Sequence, residues 1–283
     1  MSSNVETGDM AAFEHMLLRI VSALVLVPLV LMLVVYAGPG LLLVALGLLG
    51  TVCLYEYFTL VRRMGVQAQP WLGYPAFWIM MAAFERNWLP AMAVCSAVLI
   101  AVLLAGTWAR GPMRERTLGM MATLFGILYL GLTLLPALRI RYEFGAAPGL
   151  EWMLILLAVV WTGDTAAMLA GKAFGRTLFS PRISPKKTNE GAIAGLLGGL
   201  AAAFILQRFL FPDLPRAHVL ASSLLMGVFA QLGDLAESLL KRAAETKDSS
   251  RLIPGHGGVL DRVDSLLFAF PVLYIYLLCL YSP

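Results

Sequence analysis

The chain has 283 residues, of which 60% are hydrophobic and only 13% are charged, and its mean hydropathy is +0.81. These values exclude an ordinary soluble domain and indicate a membrane protein. The net charge of +4 requires no nucleic-acid partner, because a basic cytoplasmic face beside anionic lipid accounts for it. The cysteines Cys53, Cys95 and Cys279 lie in separate apolar segments, which indicates buried thiols without a disulfide or metal role.

The polar segment 1–16 comes first, and it is too acidic for the start of a signal peptide. We therefore expect a cytoplasmic N-terminal segment and a first span that is retained. A transmembrane helix needs about 20 apolar residues. On that basis the sequence predicts an all-α, polytopic integral membrane protein with about nine transmembrane helices. The predicted spans are 17–37, 40–61, 71–84, 88–107, 117–137, 150–170, 191–210, 217–240 and 263–281.

The basic residues predict the orientation. With a cytoplasmic N-terminus, 16 of the 21 Lys and Arg residues lie on the cytoplasmic side and five on the other. This asymmetry follows the positive-inside rule. Ten of the sixteen belong to the last two cytoplasmic loops, and outside these loops the ratio is six to five. The predicted orientation therefore depends on those two loops.

The chain divides into two regions of different polarity. Residues 17–145 predict a scaffold of five spans that are nearly pure hydrocarbon, with polar residues confined to their ends. Residues 146–283 carry charged and glycine-containing stretches within four spans. Ionisable groups inside spans are costly and usually mark a site, so we expect the second region to be catalytic. Within the scaffold, Glu56 is an exception. Its position near a helix end suggests contact with the interface or with Arg62 or Arg63.

The eighth predicted span has a polar stripe. Successive residues of this stripe are separated by three, three, one and three positions, and this spacing places them on one face of a helix. Such a stripe is typical of one wall of a hydrophilic cavity, although a structural seam of salt bridges between helices would have the same pattern. The stripe consists of Gln231, Asp234, Glu237, Ser238 and Lys241.

The sixth span carries Asp164, which alone would equally suit a proton relay. The basic loop that follows favours a phosphate site, because lysines and arginines neutralise phosphate charge and hydroxyl groups donate hydrogen bonds to it. The residues concerned are Lys172, Arg176, Ser180, Arg182, Ser184, Lys186, Lys187 and Thr188.

Asp261 and Asp264 lie one turn apart where the last span begins. With Asp164 and Asp234 they form a set of carboxylates, the ligand type that favours Mg²⁺ over Zn²⁺. Carboxylates combined with many cations suggest a metal bridging to a polyphosphate. Phosphoryl or nucleotidyl transfer is the predicted reaction class.

Residues 238–265, SLLKRAAETKDSSRLIPGHGGVLDRVDS, closely resemble the signature of the phosphatidate cytidylyltransferases, also called CDP-diacylglycerol synthases. The upstream segments DTAAMLAGKAFGRTLFSPRISPKKTNEG and GDLAES resemble other motifs of that family, with Met168 where tyrosine is expected. The matching signature residues are Ser238, Lys241, Arg242, Lys247, Asp248, Pro254, His256, Gly257, Gly258, Asp261, Arg262 and Asp264.

The resemblance implies transfer of CMP from CTP to phosphatidate, with Mg²⁺ as cofactor and K⁺ as a candidate companion. It also implies a bacterial inner-membrane enzyme whose site faces the cytoplasm, with membrane lipids as partners and a homodimer as an expectation. The expected metal ligands are Asp234 and Asp261, helped by Asp164, and Asp264 and Lys241 complete the expected catalytic set. The expected CTP or phosphatidate contacts are Lys172, Ser184, Lys186, Lys187, Ser238, Arg242, Lys247, His256, Gly257, Gly258 and Arg262. His256 would orient a phosphate or complete the turn.

Two alternative functions remain open from the sequence. A CTP-dependent polyprenol kinase would share the nucleotide and the membrane setting but transfer the γ-phosphoryl group. An ion-coupled transporter would use Asp164 and Asp234 as intramembrane ionisable groups. CTP labelled in the cytosine distinguishes the two enzymes, because the label enters lipid with a cytidylyltransferase and remains in soluble CDP with a kinase. Solute flux in sealed vesicles would identify a transporter.

Overall fold

The computed structural model describes residues 24–85, 91–250, 252–253 and 257–281. The described residues form α-helices and one short β-hairpin. The helices are α1 (Leu24–Tyr36), α2 (Pro39–Arg63), α3 (Pro70–Glu85), α4 (Ala91–Trp108), α5 (Met113–Tyr142), α6 (Ala146–Phe174), α7 (Asn189–Phe209), α8 (Arg216–Ala243) and α9 (Leu260–Tyr281). The strands are β1 (Leu178–Ser180) and β2 (Ser184–Thr188).

Every predicted span overlaps one of these helices. Within the described ranges, six helices are long and apolar enough to cross a membrane, namely α2, α5, α6, α7, α8 and α9. The described parts of α1, α3 and α4 are shorter or less apolar. The helical membrane architecture is thus confirmed, while the count of nine transmembrane helices remains a prediction.

The β-hairpin was not predicted. The predicted basic loop after α6 pairs β1 with β2 in antiparallel register, with Leu178 opposite Thr188 and Ser180 opposite Ser184. The hairpin is fixed to α7 because the Thr188 side chain accepts a 3.1 Å hydrogen bond from the backbone N–H of Gly191, as an N-cap. The basic side chains of β2 therefore have a defined position at the start of α7.

The hydrophobic core lies around α5, which contacts α2, α3, α4, α6 and α9. Its buried side chains include Ile127 and Leu130 of α5 and Trp152 of α6. Outward-facing apolar residues such as Leu197, 62% exposed, suit contact with lipid. One core therefore continues through both regions of the chain, and α9 packs against α5 of the scaffold.

Helices α6 and α7 approach each other through glycines. A Cβ atom on Gly195 would lie 3.0 Å from the carbonyl oxygen of Gly163 and 3.0 Å from the Cβ of Ala167. Small residues at such a contact let helix backbones come close. The close contact brings Asp164, which follows Gly163 on α6, next to the cavity described below.

Candidate functional site

A cavity of about 730 Å³ lies where the C-terminal ends of α6 and α8 meet the hairpin and the start of α9. Its volume is in the range of small-molecule sites. Aspartates and cationic side chains line it together, so it suits a ligand carrying several negative charges alongside a cation. The charged lining residues are Asp164, Lys172, Lys186, Lys187, Asp234, Lys241, Arg242, Lys247, Asp248, Asp261, Arg262 and Asp264.

The polar stripe of α8 forms one wall of this cavity, as its spacing predicted. Gln231, Asp234, Ser238 and Lys241 line the cavity. Glu237 is 0% exposed and instead forms an ion pair with Lys241 inside the protein. Lys241 also pairs with Asp261 of α9. The stripe is therefore a cavity wall and, at its C-terminal end, part of a salt-bridge seam between helices, the two interpretations that the sequence allowed.

Asp234 is linked to the hairpin. Its Oδ2 atom lies 2.7 Å from the Lys187 Nζ atom of β2, and its Oδ1 atom accepts a 3.3 Å hydrogen bond from Ser238 Oγ. Both partners of the ion pair are about one-third exposed to solvent, with side-chain exposures of 29% and 32%. The ion pair joins α8 to β2 across the cavity.

Asp261 is held more firmly than Asp234. Its Oδ1 atom accepts a hydrogen bond of 2.6 Å from Lys241 Nζ. Its Oδ2 atom accepts from the backbone N–H of Ser249 at 2.9 Å, from Ser249 Oγ at 2.9 Å and from the backbone N–H of Gly258 at 2.8 Å. Charge-assisted hydrogen bonds of this kind fix a carboxylate in one orientation.

Lys241 has two carboxylate partners, Glu237 and Asp261. It was expected to belong to the catalytic set, and that role is still a prediction. The structure adds a second contribution, because the ammonium group holds Asp261 in place. Lys241 lines the cavity and is largely buried, with 9% of its surface exposed.

Asp164 and Asp264 also reach the cavity, from α6 and α9. Asp264 is 9% exposed, and its Oδ1 atom accepts a 2.7 Å hydrogen bond from the backbone N–H of Ser265. The four predicted catalytic aspartates thus come from three helices and line one cavity.

The predicted substrate contacts fall into three groups. Lys172, Ser184, Lys186, Lys187, Ser238, Arg242, Lys247 and Arg262 line the cavity. Gly257 and Gly258 form the turn behind Asp261, where Gly257 and Ile253 exchange backbone hydrogen bonds of 2.9 and 3.2 Å. His256 lies outside the described residues.

The sequence did not predict the position of Glu56. It is fully buried, and its carboxylate accepts hydrogen bonds from the backbone N–H groups of Val259 and Leu260. Within the described part of the chain it forms no ion pair with Arg62 or Arg63. The signal that could have identified it was a single acidic residue within the apolar span 40–61, since acidic residues are rarely placed in a span without a partner.

The aspartates fit a metal that binds together with a phosphate ligand. Within the described part of the chain, no three His, Cys, Asp or Glu side chains are grouped closely enough to hold a metal alone. Mg²⁺ is commonly held by one or two carboxylates plus substrate phosphates, so a preformed protein cage is not required. Asp234 and Asp261 have the carboxylate chemistry for this mode of binding, and both line the cavity.

Comparison with known proteins extends over the whole chain. A family model described as the cytidylyltransferase family matches residues 17–280. A phosphatidate cytidylyltransferase of Bacillus subtilis (strain 168) is 32% identical over 287 residues, which cover 100% of this chain and 99% of that protein. Proteins of the same name from Staphylococcus saprophyticus and Haemophilus influenzae are 32% and 37% identical over 71% and 58% of this chain and 75% and 57% of their own lengths. The chain belongs to the cytidylyltransferase family.

Proposed function

We propose that this chain is a phosphatidate cytidylyltransferase, which transfers CMP from CTP to phosphatidate to give CDP-diacylglycerol and pyrophosphate. The observation that carries the proposal is the single cavity in which the aspartates and cations of the family signature meet at the ends of apolar helices. The full-length similarity to phosphatidate cytidylyltransferases supports the same substrates.

The reaction forms a bond between a phosphate oxygen of phosphatidate and the α-phosphorus of CTP, while the bond from the α-phosphorus to the departing pyrophosphate breaks. A phosphomonoester has a second pKa of about 6, so the attacking oxygen is already largely ionised near neutral pH. Little proton removal is needed. Positioning and charge stabilisation can then supply most of the rate enhancement.

The cationic lining of the cavity suits these requirements. Lys172 of α6, Lys186 and Lys187 of β2, and Arg242 of α8 approach the same space from three elements. Arg242 is oriented by a 3.1 Å hydrogen bond from its Nε–H to the carbonyl oxygen of Ile183 in the hairpin turn. We propose that these side chains bind the phosphate groups of both substrates and neutralise the charge that develops on pyrophosphate.

Purified protein supplied with phosphatidate, Mg²⁺ and CTP labelled in the cytosine tests the function. We expect label in the lipid fraction and one pyrophosphate released for each labelled lipid. A polyprenol kinase would leave the label in soluble CDP when polyprenol is supplied, and a transporter would move solute in sealed vesicles without releasing pyrophosphate. Either result, in place of labelled lipid, would contradict the proposal.

We propose Mg²⁺ as the cofactor, held by Asp234 and Asp261 with Asp164 nearby, and K⁺ as a candidate companion. When bound, Mg²⁺ supplies positive charge to the polyphosphate. Removal of divalent cations with EDTA is expected to lower the rate of product formation at least about 100-fold, and excess Mg²⁺ should restore it. Full activity after exhaustive chelation would contradict the metal requirement.

We also propose a bacterial inner-membrane location, with the N-terminus and the cavity facing the cytoplasm, because basic residues concentrate around the cavity. In a variant without native cysteines, a membrane-impermeant maleimide should label Asp213→Cys in intact cells. It should label Ala243→Cys, at the end of α8, only after permeabilisation. The reverse pattern would contradict this orientation.

A homodimer, suggested by the family resemblance alone, would appear as twice the chain mass in detergent.

A further inference from the structure

Glu56 is a buried carboxylate outside the signature that supplies the cavity residues. It lies on α2, is 0% exposed, and is followed by Tyr57 and Phe58, which are 3% and 4% exposed in the core. Burying a charged group without partners costs on the order of several kcal/mol, so a buried carboxylate needs strong hydrogen-bond donors nearby.

Four donors surround Glu56. Three belong to the segment between α8 and α9, and the fourth is the first residue of α9. Its Oε1 atom accepts from Ser250 Oγ at 2.5 Å and from the backbone N–H of Val259 at 2.9 Å. Its Oε2 atom accepts from the backbone N–H of Leu260 at 2.6 Å and lies 3.1 Å from Ser249 Oγ, which shares its one proton between Glu56 and Asp261. Leu260 begins α9, so the carboxylate also lies at the positive end of that helix.

The same segment holds Asp261 on its other side. Ser249 Oγ lies 3.1 Å from Glu56 Oε2 and 2.9 Å from Asp261 Oδ2, and the backbone N–H of Ser249 also donates to Asp261 Oδ2. One serine hydroxyl thus contacts a scaffold carboxylate and a cavity carboxylate. Any displacement of Ser249 from Glu56 would also displace the donors that orient Asp261.

We infer that Glu56 is a positioning residue, which anchors Ser249, Ser250 and the first turn of α9 to the scaffold so that Asp261 faces the cavity. Glu56 is fully buried and does not line the cavity, so it acts through these neighbours. The inference rests on the proposed function for its kinetic consequences, whereas its structural consequence can be measured without any substrate.

Glu56→Gln is the informative variant because it keeps the size of the side chain. An amide NH₂ group would replace one carboxylate oxygen and face donors where an acceptor is needed. We expect faster hydrogen exchange of the backbone amides in residues 249–260 of the metal-free protein. We also expect about a 10-fold higher Mg²⁺ concentration for half-maximal rate and a 10- to 100-fold lower kcat, in the range found when partners of metal ligands are removed. Glu56→Asp, which keeps the charge, should fall between Glu56→Gln and the unchanged protein.

Tyr57→Phe is the matched control on the same helix. It removes the hydroxyl that donates a 2.9 Å hydrogen bond to the carbonyl oxygen of Ala122, a contact between α2 and α5 away from the cavity. We expect a small loss of thermal stability, with the exchange of residues 249–260 and the Mg²⁺ requirement unchanged. The control separates positioning from a general loss of stability.

Unchanged exchange in residues 249–260 of Glu56→Gln, or a Mg²⁺ requirement equal to that of Tyr57→Phe, would overturn the inference. If Glu56→Gln does not fold, Ser250→Ala, which removes one of the four donors, gives a milder version of the same test. If the unchanged protein forms no CDP-diacylglycerol, the proposed function fails, and the exchange comparison still decides the role of Glu56.

Discussion

Asp261→Asn is expected to lower the rate of CDP-diacylglycerol formation at least about 100-fold while leaving the protein folded. The substitution removes the negative charge that Lys241 Nζ approaches at 2.6 Å. It also places an NH₂ group either toward Lys241 or toward the three donors at Oδ2. In either orientation the amide NH₂ group faces another donor. This is costly because the site is nearly buried, with the Asp261 side chain 5% exposed.

The measurement is the rate of labelled-lipid formation, with thermal unfolding in the same detergent as a check on folding. Asp213→Asn is the matched control, because Asp213 is exposed in the turn between α7 and α8 and does not line the cavity. Its rate should stay within about twofold of the unchanged protein, as expected for an exposed surface substitution. A folded Asp261→Asn protein with full activity would remove Asp261 from the catalytic set and weaken the proposed metal site.

Local patterns in the sequence predicted much of the site. The helical spacing of Gln231, Asp234, Ser238 and Lys241 placed them on one face of a span, and all four line the cavity. The position of Asp261 at the start of the last span could also be predicted, because charged residues precede a long apolar run there. These features depend on residues close together in the chain, which is why periodicity and composition could identify them.

Other features depend on contacts between distant residues. Glu56 and Leu260 are 204 positions apart in sequence, and no spacing rule connects them. The hairpin has strands of three and five residues, and Ser184–Thr188 is a polar stretch with a proline, so neither alternation nor β-propensity indicated it. The pairing of Lys187 with Asp234 follows from that hairpin and was equally inaccessible to sequence reasoning.

Gly258→Ala is expected to reduce activity by about 100-fold, as for a catalytic group displaced by about 1 Å, and to loosen the start of α9. A Cβ atom at this position would lie 1.9 Å from Ser249 Oγ and 2.7 Å from Glu56 Oε1, closer than real atoms approach. Glu56 is fully buried and has four hydrogen bonds, so the turn itself must shift to relieve the overlap. That shift would withdraw the Gly258 N–H from Asp261 Oδ2, now 2.8 Å away.

The rate of labelled-lipid formation and the exchange of residues 249–260 would be measured for Gly258→Ala beside Gly38→Ala. Gly38 precedes α2 with a φ of −75°, and a Cβ there meets nothing within 4 Å, so its substitution should change neither quantity. Near-normal activity in Gly258→Ala would mean that the turn does not pack against Glu56 as described. Loss of activity together with faster exchange would support one cause for both effects. The Glu56 carboxylate, the Ser249 hydroxyl and the donors to Asp261 all meet around Gly258, where there is no room for a side chain.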